Sequence, residues 1–61
     1  MSIKLYEDKV RIKGTDIIGI LIDEQYREDR KKKLYILEQD NKDKDGKYPL
    51  CDVWEDEIEK I

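Results

Sequence analysis

Charged and apolar residues alternate near the start of the chain, in the segment KVRIKG at residues 9–14. A period of two is typical of a β-strand with one face in the core and one in water, so Val10 and Ile12 are predicted to point inward. The next apolar run, IIGILID at residues 17–23, is short, rich in isoleucine and interrupted by glycine. It predicts a buried, strongly bent strand in which three side chains share one face: Ile18, Ile20 and Ile22.

A highly charged segment, EQYREDRKKK at residues 24–33, follows this strand. It contains no apolar residue after Tyr26 and is therefore predicted to be an exposed hairpin connection. The compact apolar run at residues 33–38 predicts a third strand with Leu34 and Ile36 in the core. Because side chains alternate along a strand, Tyr35 is then expected to face outward.

The second half of the chain continues the β pattern. A polar connection at residues 39–47 ends in Asp45-Gly46, a strong turn signal, before a β-compatible run at residues 48–54 whose proline favours a sheet edge. Residues 55–61 have isoleucines three apart, which predicts a single helical turn or a short final strand. The predicted fold class is all-β, a small antiparallel barrel of about five short strands with a helical turn near the C-terminus, because closure removes exposed edges.

The order of these segments resembles the small Src-homology-3-like (SH3-like) barrels of bacteria, including the KOW and Tudor types. The resemblance spans nearly the whole chain and is carried by four stretches: VRIKG at 10–14, IIGILID at 17–23, YILE at 35–38 and WEDEIE at 54–59. One position departs from the pattern, because many such sequences carry a second glycine where this chain has Asp16. The resemblance implies one SH3-like barrel domain over residues 1–61 that acts as a binding or scaffolding module, with partners that range from peptides to RNA and DNA.

Composition narrows the classes of function. A chain of 61 residues allows one domain with little room for an enclosed catalytic cavity. Histidine is absent, which excludes Ser-His-Asp and Cys-His nucleophile pairs and every zinc site that needs imidazole. We therefore expect no enzymatic activity and no cofactor. No apolar run approaches the ~20 residues of a membrane span, and the single Cys51 fits a reducing compartment, so a cytoplasmic protein without membrane contact is expected.

The net charge of −3 is unevenly distributed. Residues 26–33 hold five basic and two acidic residues, whereas residues 52–61 hold one basic and five acidic residues. The basic group consists of Arg27, Arg30, Lys31, Lys32 and Lys33. Together with Tyr26 and Tyr35 as stacking platforms, this hairpin supports nucleic-acid binding as an alternative function. Charge runs of this kind are more often solvated connections.

Protein or peptide binding is the preferred prediction. Tyr35 and Tyr48 are expected to lie near each other across a hairpin, and with the basic hairpin they would form the interaction surface of a small adaptor. The pattern leaves open whether Trp54 is a core or a surface residue. It does not predict the oligomeric state.

The segment NKDKDGKYPLCD at residues 41–52 places oxygen-bearing side chains at alternate positions before a glycine, as in a helix–loop–helix calcium site. The ligands would be Asn41, Asp43, Asp45 and Asp52. The first-position asparagine and the short twelfth-position aspartate both weaken such a site, which also needs a helix on each side. A weak calcium loop is therefore the third hypothesis, beside the simpler prediction of a solvated turn.

Overall fold

Five antiparallel strands form one sheet in the computed structural model, which describes residues 3–61. The strands are β1 (Lys9–Ile12), β2 (Ile18–Arg27), β3 (Lys32–Gln39), β4 (Leu50–Trp54) and β5 (Ile58–Lys60). A 3₁₀ turn at Glu55–Glu57 joins β4 to β5. The spatial order is β4-β3-β2-β1-β5, so the last strand returns to pair with the first. The predicted all-β class, with about five strands and a helical turn near the C-terminus, is confirmed.

The core lies on one face of this sheet and receives side chains from every strand. Its buried members are Val10, Leu21, Tyr35, Leu37, Val53 and Ile58. Ile12 packs against this cluster, so the inward direction predicted for Val10 and Ile12 is confirmed. All five strands thus bury apolar side chains in this core, and burial of apolar surface is the main favourable term in folding.

The predicted inward face of β3 is wrong. Leu34 and Ile36 were expected in the core, but the structure buries Tyr35 and Leu37 and leaves Leu34 and Ile36 only half-buried. The block LYIL is apolar on both faces and has no alternation, so the pattern could not identify which face is covered. Pairing partners decide instead: Leu37 lies opposite Leu21, which is fully buried.

The long hairpin formed by β2 and β3 also differs from the prediction. Residues 24–33 were expected to be a connection, yet β2 continues to Arg27 and β3 begins at Lys32, so the turn covers only residues 28–31. Pairs from Glu24 opposite Tyr35 to Arg27 opposite Lys32 keep the backbone hydrogen-bonded while most of the charged side chains remain in water. Near the middle of β2 the register shifts between Leu21 and Asp23, which leaves Ile22 as the extra residue of a β-bulge. The bend that was predicted for this strand thus has a local cause.

Gly19 is required where the backbone of β2 passes close to β3. A Cβ atom at this position would lie 2.2 Å from the carbonyl oxygen of Glu38 and 2.8 Å from Cδ2 of Leu37. Both distances are far below van der Waals contact, so only glycine permits this approach.

The remaining predictions about element positions hold. β4 is an edge strand, and Pro49 lies immediately before it, where no ladder hydrogen bond is lost. Both options for residues 55–61 occur, because the 3₁₀ turn is followed directly by β5. No helix in the part of the chain that the structure describes is long and apolar enough to cross a membrane.

Candidate interaction surface

The face of β2, β3 and β4 that points away from the core is itself rich in apolar side chains, and we call it the outer face. Alternation along the paired strands places Leu34 and Ile36 on it, opposite in direction to Tyr35 and Leu37. Its apolar members are Ile18, Ile20, Leu34, Ile36, Leu50 and Trp54. Leu50 is 58% exposed and the other five are half-buried. An antiparallel sheet with one core face normally carries polar residues on the other, so this apolar stripe is typical of an interaction site.

Trp54 lies at one end of the outer face beneath two cationic side chains. The Arg30 guanidinium carbon lies 5.4 Å from the indole ring centroid, and the Lys32 ammonium lies 5.2 Å from it. Both distances are within the range of a cation–π interaction. Trp54 is opposite Leu34 in the β3–β4 ladder, so its ring continues the apolar stripe up to the charged hairpin.

The 3₁₀ turn fixes this arrangement from the other side. Lys32 Nζ donates a hydrogen bond to Asp56 Oδ2 at 2.9 Å, which lowers the pKa of that carboxyl. The backbone N–H of Lys33 donates to Glu55 Oε1 at 2.6 Å, and the backbone N–H of Trp54 donates to Glu57 Oε1 at 2.8 Å. Glu55 and Asp56 thus tie the turn to the first residues of β3, and Glu57 holds the turn against the end of β4.

Much of the positive charge on the hairpin is neutralised within the molecule. Besides the pair of Lys32 and Asp56, Arg27 Nε lies 3.5 Å from Asp29 Oδ1 and Lys33 Nζ lies 3.4 Å from Glu24 Oε2. The hydrogen bond to Glu24 raises the pKa of the Lys33 ammonium. Within residues 3–61, Arg30 and Lys31 form no ion pair with a carboxylate. The two cations without a carboxylate partner therefore lie in the turn, and the guanidinium of Arg30 is the one beside Trp54.

The predicted surface that combines Tyr35 and Tyr48 does not exist. Tyr35 is only 6% exposed and lies opposite Val53, and burial raises the pKa of its phenol. Tyr48 precedes β4, five residues before Val53, which is about 16 Å along an extended chain. The prediction that Tyr35 faces outward is wrong for the same reason as the core positions of β3: the direction of alternation was reversed.

The other predicted aromatic residues are exposed but separate. Tyr48 is 46% exposed, with Lys42 Nζ 5.6 Å from its ring centroid. Tyr26 is 57% exposed and lies opposite Lys33, so alternation directs it to the side of the sheet opposite Trp54. Of the basic residues of the hairpin, Arg30 and Lys32 meet at Trp54, whereas alternation directs Lys33 to the same side as Tyr26.

Residues 40–49 connect β3 to β4, and the last three residues of the predicted calcium loop, 50–52, belong to β4. Strands β3 and β4 flank this connection where a calcium site of this type needs helices, so the prediction of a helix–loop–helix calcium site is wrong. Asp43 Oδ1 accepts hydrogen bonds from the backbone N–H groups of Asp45 and Lys47 at 2.8 and 3.0 Å, and Gly46 has a positive φ of 78°. These are the features of an Asx turn followed by a left-handed glycine.

Asp52, the last of the four predicted calcium ligands, lies in β4 opposite Ile36. Asn41, Asp43 and Asp45 belong to the connection that precedes this strand. Over residues 3–61 no three acidic or cysteine side chains are placed to hold one metal ion. The four side chains therefore do not form a common ligand set in this fold.

One signal in the sequence could have revealed the outer face. Strand β3 is apolar at both odd and even positions, and β2 begins with isoleucines on both sides of a glycine. A strand that is apolar on both faces is typical of a sheet covered on both sides.

Comparison with protein-family models, curated proteins and solved structures finds no match to this chain.

Proposed function

We propose that the sheet is an SH3-like barrel of the KOW or Tudor type. Three features support this assignment: the strand order in which β5 pairs with β1, the bulge in β2, and the 3₁₀ turn between β4 and β5. On one side, the first residues of β2 pair with β1. On the other side, β3 pairs with β2 along nearly the whole length of β2. A bulged strand shared in this way is how a small sheet bends toward closure.

We further propose that the chain is a non-enzymatic, cytoplasmic adaptor that binds a protein or peptide through the outer face. The observation that carries the proposal is the apolar stripe that ends at Trp54. Burial of apolar surface favours association, and tryptophan and arginine are enriched among the residues that dominate interface energies. Arg30 beside Trp54 supplies both at one point.

Site-specific photo-crosslinking in cells tests this function. A photoreactive phenylalanine analogue replaces Leu50, the most exposed apolar residue of the outer face. The matched control carries it at Tyr6, which is 68% exposed and lies outside the strands that form the outer face. We expect position 50 to form defined crosslinked products that protease removes and nuclease does not. Equal products from both positions, or none from position 50, would refute binding through this face.

Nucleic-acid binding at the hairpin is the second candidate, favoured by Arg30 beside the Trp54 ring and by Lys31 in the same turn, neither of which has a carboxylate partner within residues 3–61. Stacking of a base on an aromatic residue beside cations is a common mode of single-strand recognition. Titration with mixed single-stranded oligonucleotides at about 50 and 200 mM salt, monitored by Trp54 fluorescence, tests it, since phosphate contacts weaken steeply with salt. Affinity that is equal for wild type and Lys31→Glu, or that does not fall with salt, would remove this candidate.

A further inference from the structure

We infer that the partner of the outer face is a second copy of this chain, packed face to face about a two-fold axis. This inference rests on the proposed binding function of the outer face. It is carried by the distribution of charge along that face, which is opposite at its two ends and therefore complementary to itself.

The end of the outer face near the hairpin is basic. Arg27 and Lys32 form its last pair, and Arg30 bends over Trp54. Carboxylates partly neutralise Arg27 and Lys32, but Arg30 has no such partner in residues 3–61. The cation of this end that no carboxylate neutralises is thus Arg30, which lies over the Trp54 ring of β4.

The other half of the outer face is acidic. Asp52 and Asp23 flank Ile36 on the two neighbouring strands, and Glu38 follows beside Leu50. Asp52 and Glu38 form no ion pair with any basic residue in the described part of the chain. From Lys32 to Glu38 the distance along β3 is about 20 Å, and the row that contains Leu34 and Trp54 separates the basic end from the acidic residues beside Ile36.

A partner of a single charge sign would be attracted to one half of this face and repelled by the other. Consider a two-fold axis that lies in the interface, perpendicular to the strands and level with Tyr35. Rotation about this axis places the basic end of one copy against the acidic half of the other. In that arrangement Leu34 lies over Ile36 of the other copy, and the hairpin end with Arg30 lies over Asp52. A two-fold interface must be self-complementary in this way.

Sedimentation velocity across about 10 µM to 1 mM protein, at about 0.15 M salt, tests the inference. Wild type is expected to move from the mass of one chain to that of two. Leu50→Thr is expected to raise the dimer dissociation constant about tenfold, because Leu50 is the most exposed apolar side chain of the outer face and the dimer covers it in both copies. Tyr6→Asn removes a comparably exposed residue outside the outer face and keeps a side chain that tolerates its positive φ of 65°, so it should leave the constant unchanged.

A charge swap tests the orientation. Arg30→Glu and Asp52→Arg are each expected to weaken self-association about tenfold, because like charges then face each other twice in the dimer. An equimolar mixture of the two variants restores opposite charges at both positions and should regain an affinity within about threefold of wild type. A mixture as weak as the single variants would overturn the two-fold arrangement.

The two proposals fail separately. A mass of one chain throughout the concentration series would overturn self-association, whereas crosslinking of position 50 to a different protein would then still support the binding function. Crosslinks from position 50 to a second copy of the chain would support both. Dimers that Leu50→Thr leaves intact would show that the copies meet elsewhere and would overturn the inference.

Discussion

Leu37 and Ile36 are neighbours on β3 that point to opposite faces, so alanine substitutions at the two sites distinguish the core from the outer face. Leu37 has no exposed surface, and removal of a buried leucine side chain costs about 2–5 kcal/mol. Ile36 is half-buried, so its removal should cost about 1–1.5 kcal/mol. A domain of 61 residues has a total free energy of unfolding of about 3–9 kcal/mol. Leu37→Ala should therefore lose a large part of the stability, and Ile36→Ala a minor part.

Thermal unfolding followed by far-UV circular dichroism measures the difference. Each kcal/mol shifts Tm by about 4–8 °C in a domain of this size, so Leu37→Ala should melt at least about 10 °C below wild type or be unfolded at room temperature. The measurement is made at about 5 µM protein so that self-association does not add to the stability of wild type. A larger loss for Ile36→Ala than for Leu37→Ala would mean that the two faces are exchanged, and the outer face as defined here would be the core.

Three further predictions test the fold. Gly19→Ala should lower the free energy of unfolding by about 1–3 kcal/mol, because its Cβ would overlap the Glu38 carbonyl oxygen; an unchanged urea midpoint would contradict this close approach. Tm should fall as the pH drops below about 4. Carboxyls whose pKa is lowered in the folded state stabilise the fold above the pKa of the unfolded state, and they lose this contribution as the pH falls through their folded-state pKa. A Tm that is constant down to about pH 2 would contradict this prediction. These carboxyls, held by the Lys4 N–H, Lys32 and Arg11 respectively, are Asp8, Asp56 and Glu59. Burial raises the pKa of Tyr35, so the tyrosinate absorbance of the folded protein should include a late step that Tyr35→Phe removes; its persistence in the variant would assign it to another tyrosine.

The sequence predicted the number and approximate position of the strands because their signals are local. The alternation at Val10 and Ile12, the turn at Asp45-Gly46 and the edge position after Pro49 each depend on a few adjacent residues. The inward direction of Tyr35 was not predictable in this way. It depends on the bulge at Ile22 and on pairing with a strand eighteen residues further along the chain, which opposes Val53 to Tyr35.

The candidate site shows the same division. The basic character of the hairpin was visible in the sequence, but its partial neutralisation by Asp56 and Glu24 was not, because these partners come from the 3₁₀ turn and from the opposite strand. The position of Trp54 beneath Arg30 also needs the register of β3 and β4. The sequence of β3 indicates that both of its faces are apolar, but which residues and charges lie together on the outer face is known only from the pairing of the strands.

An isotope-filtered nuclear Overhauser spectrum of a mixed sample shows whether the outer face of one chain contacts that of another. One half of the chains carries ¹³C and the other half is unlabelled, so that only contacts between different chains appear. We predict contacts between the methyl groups of Leu34 in one chain and Ile36 in the other, with further contacts to the Trp54 indole. Contacts confined to β5, or no contacts between chains at about 1 mM protein, would contradict an outer face that binds a second copy.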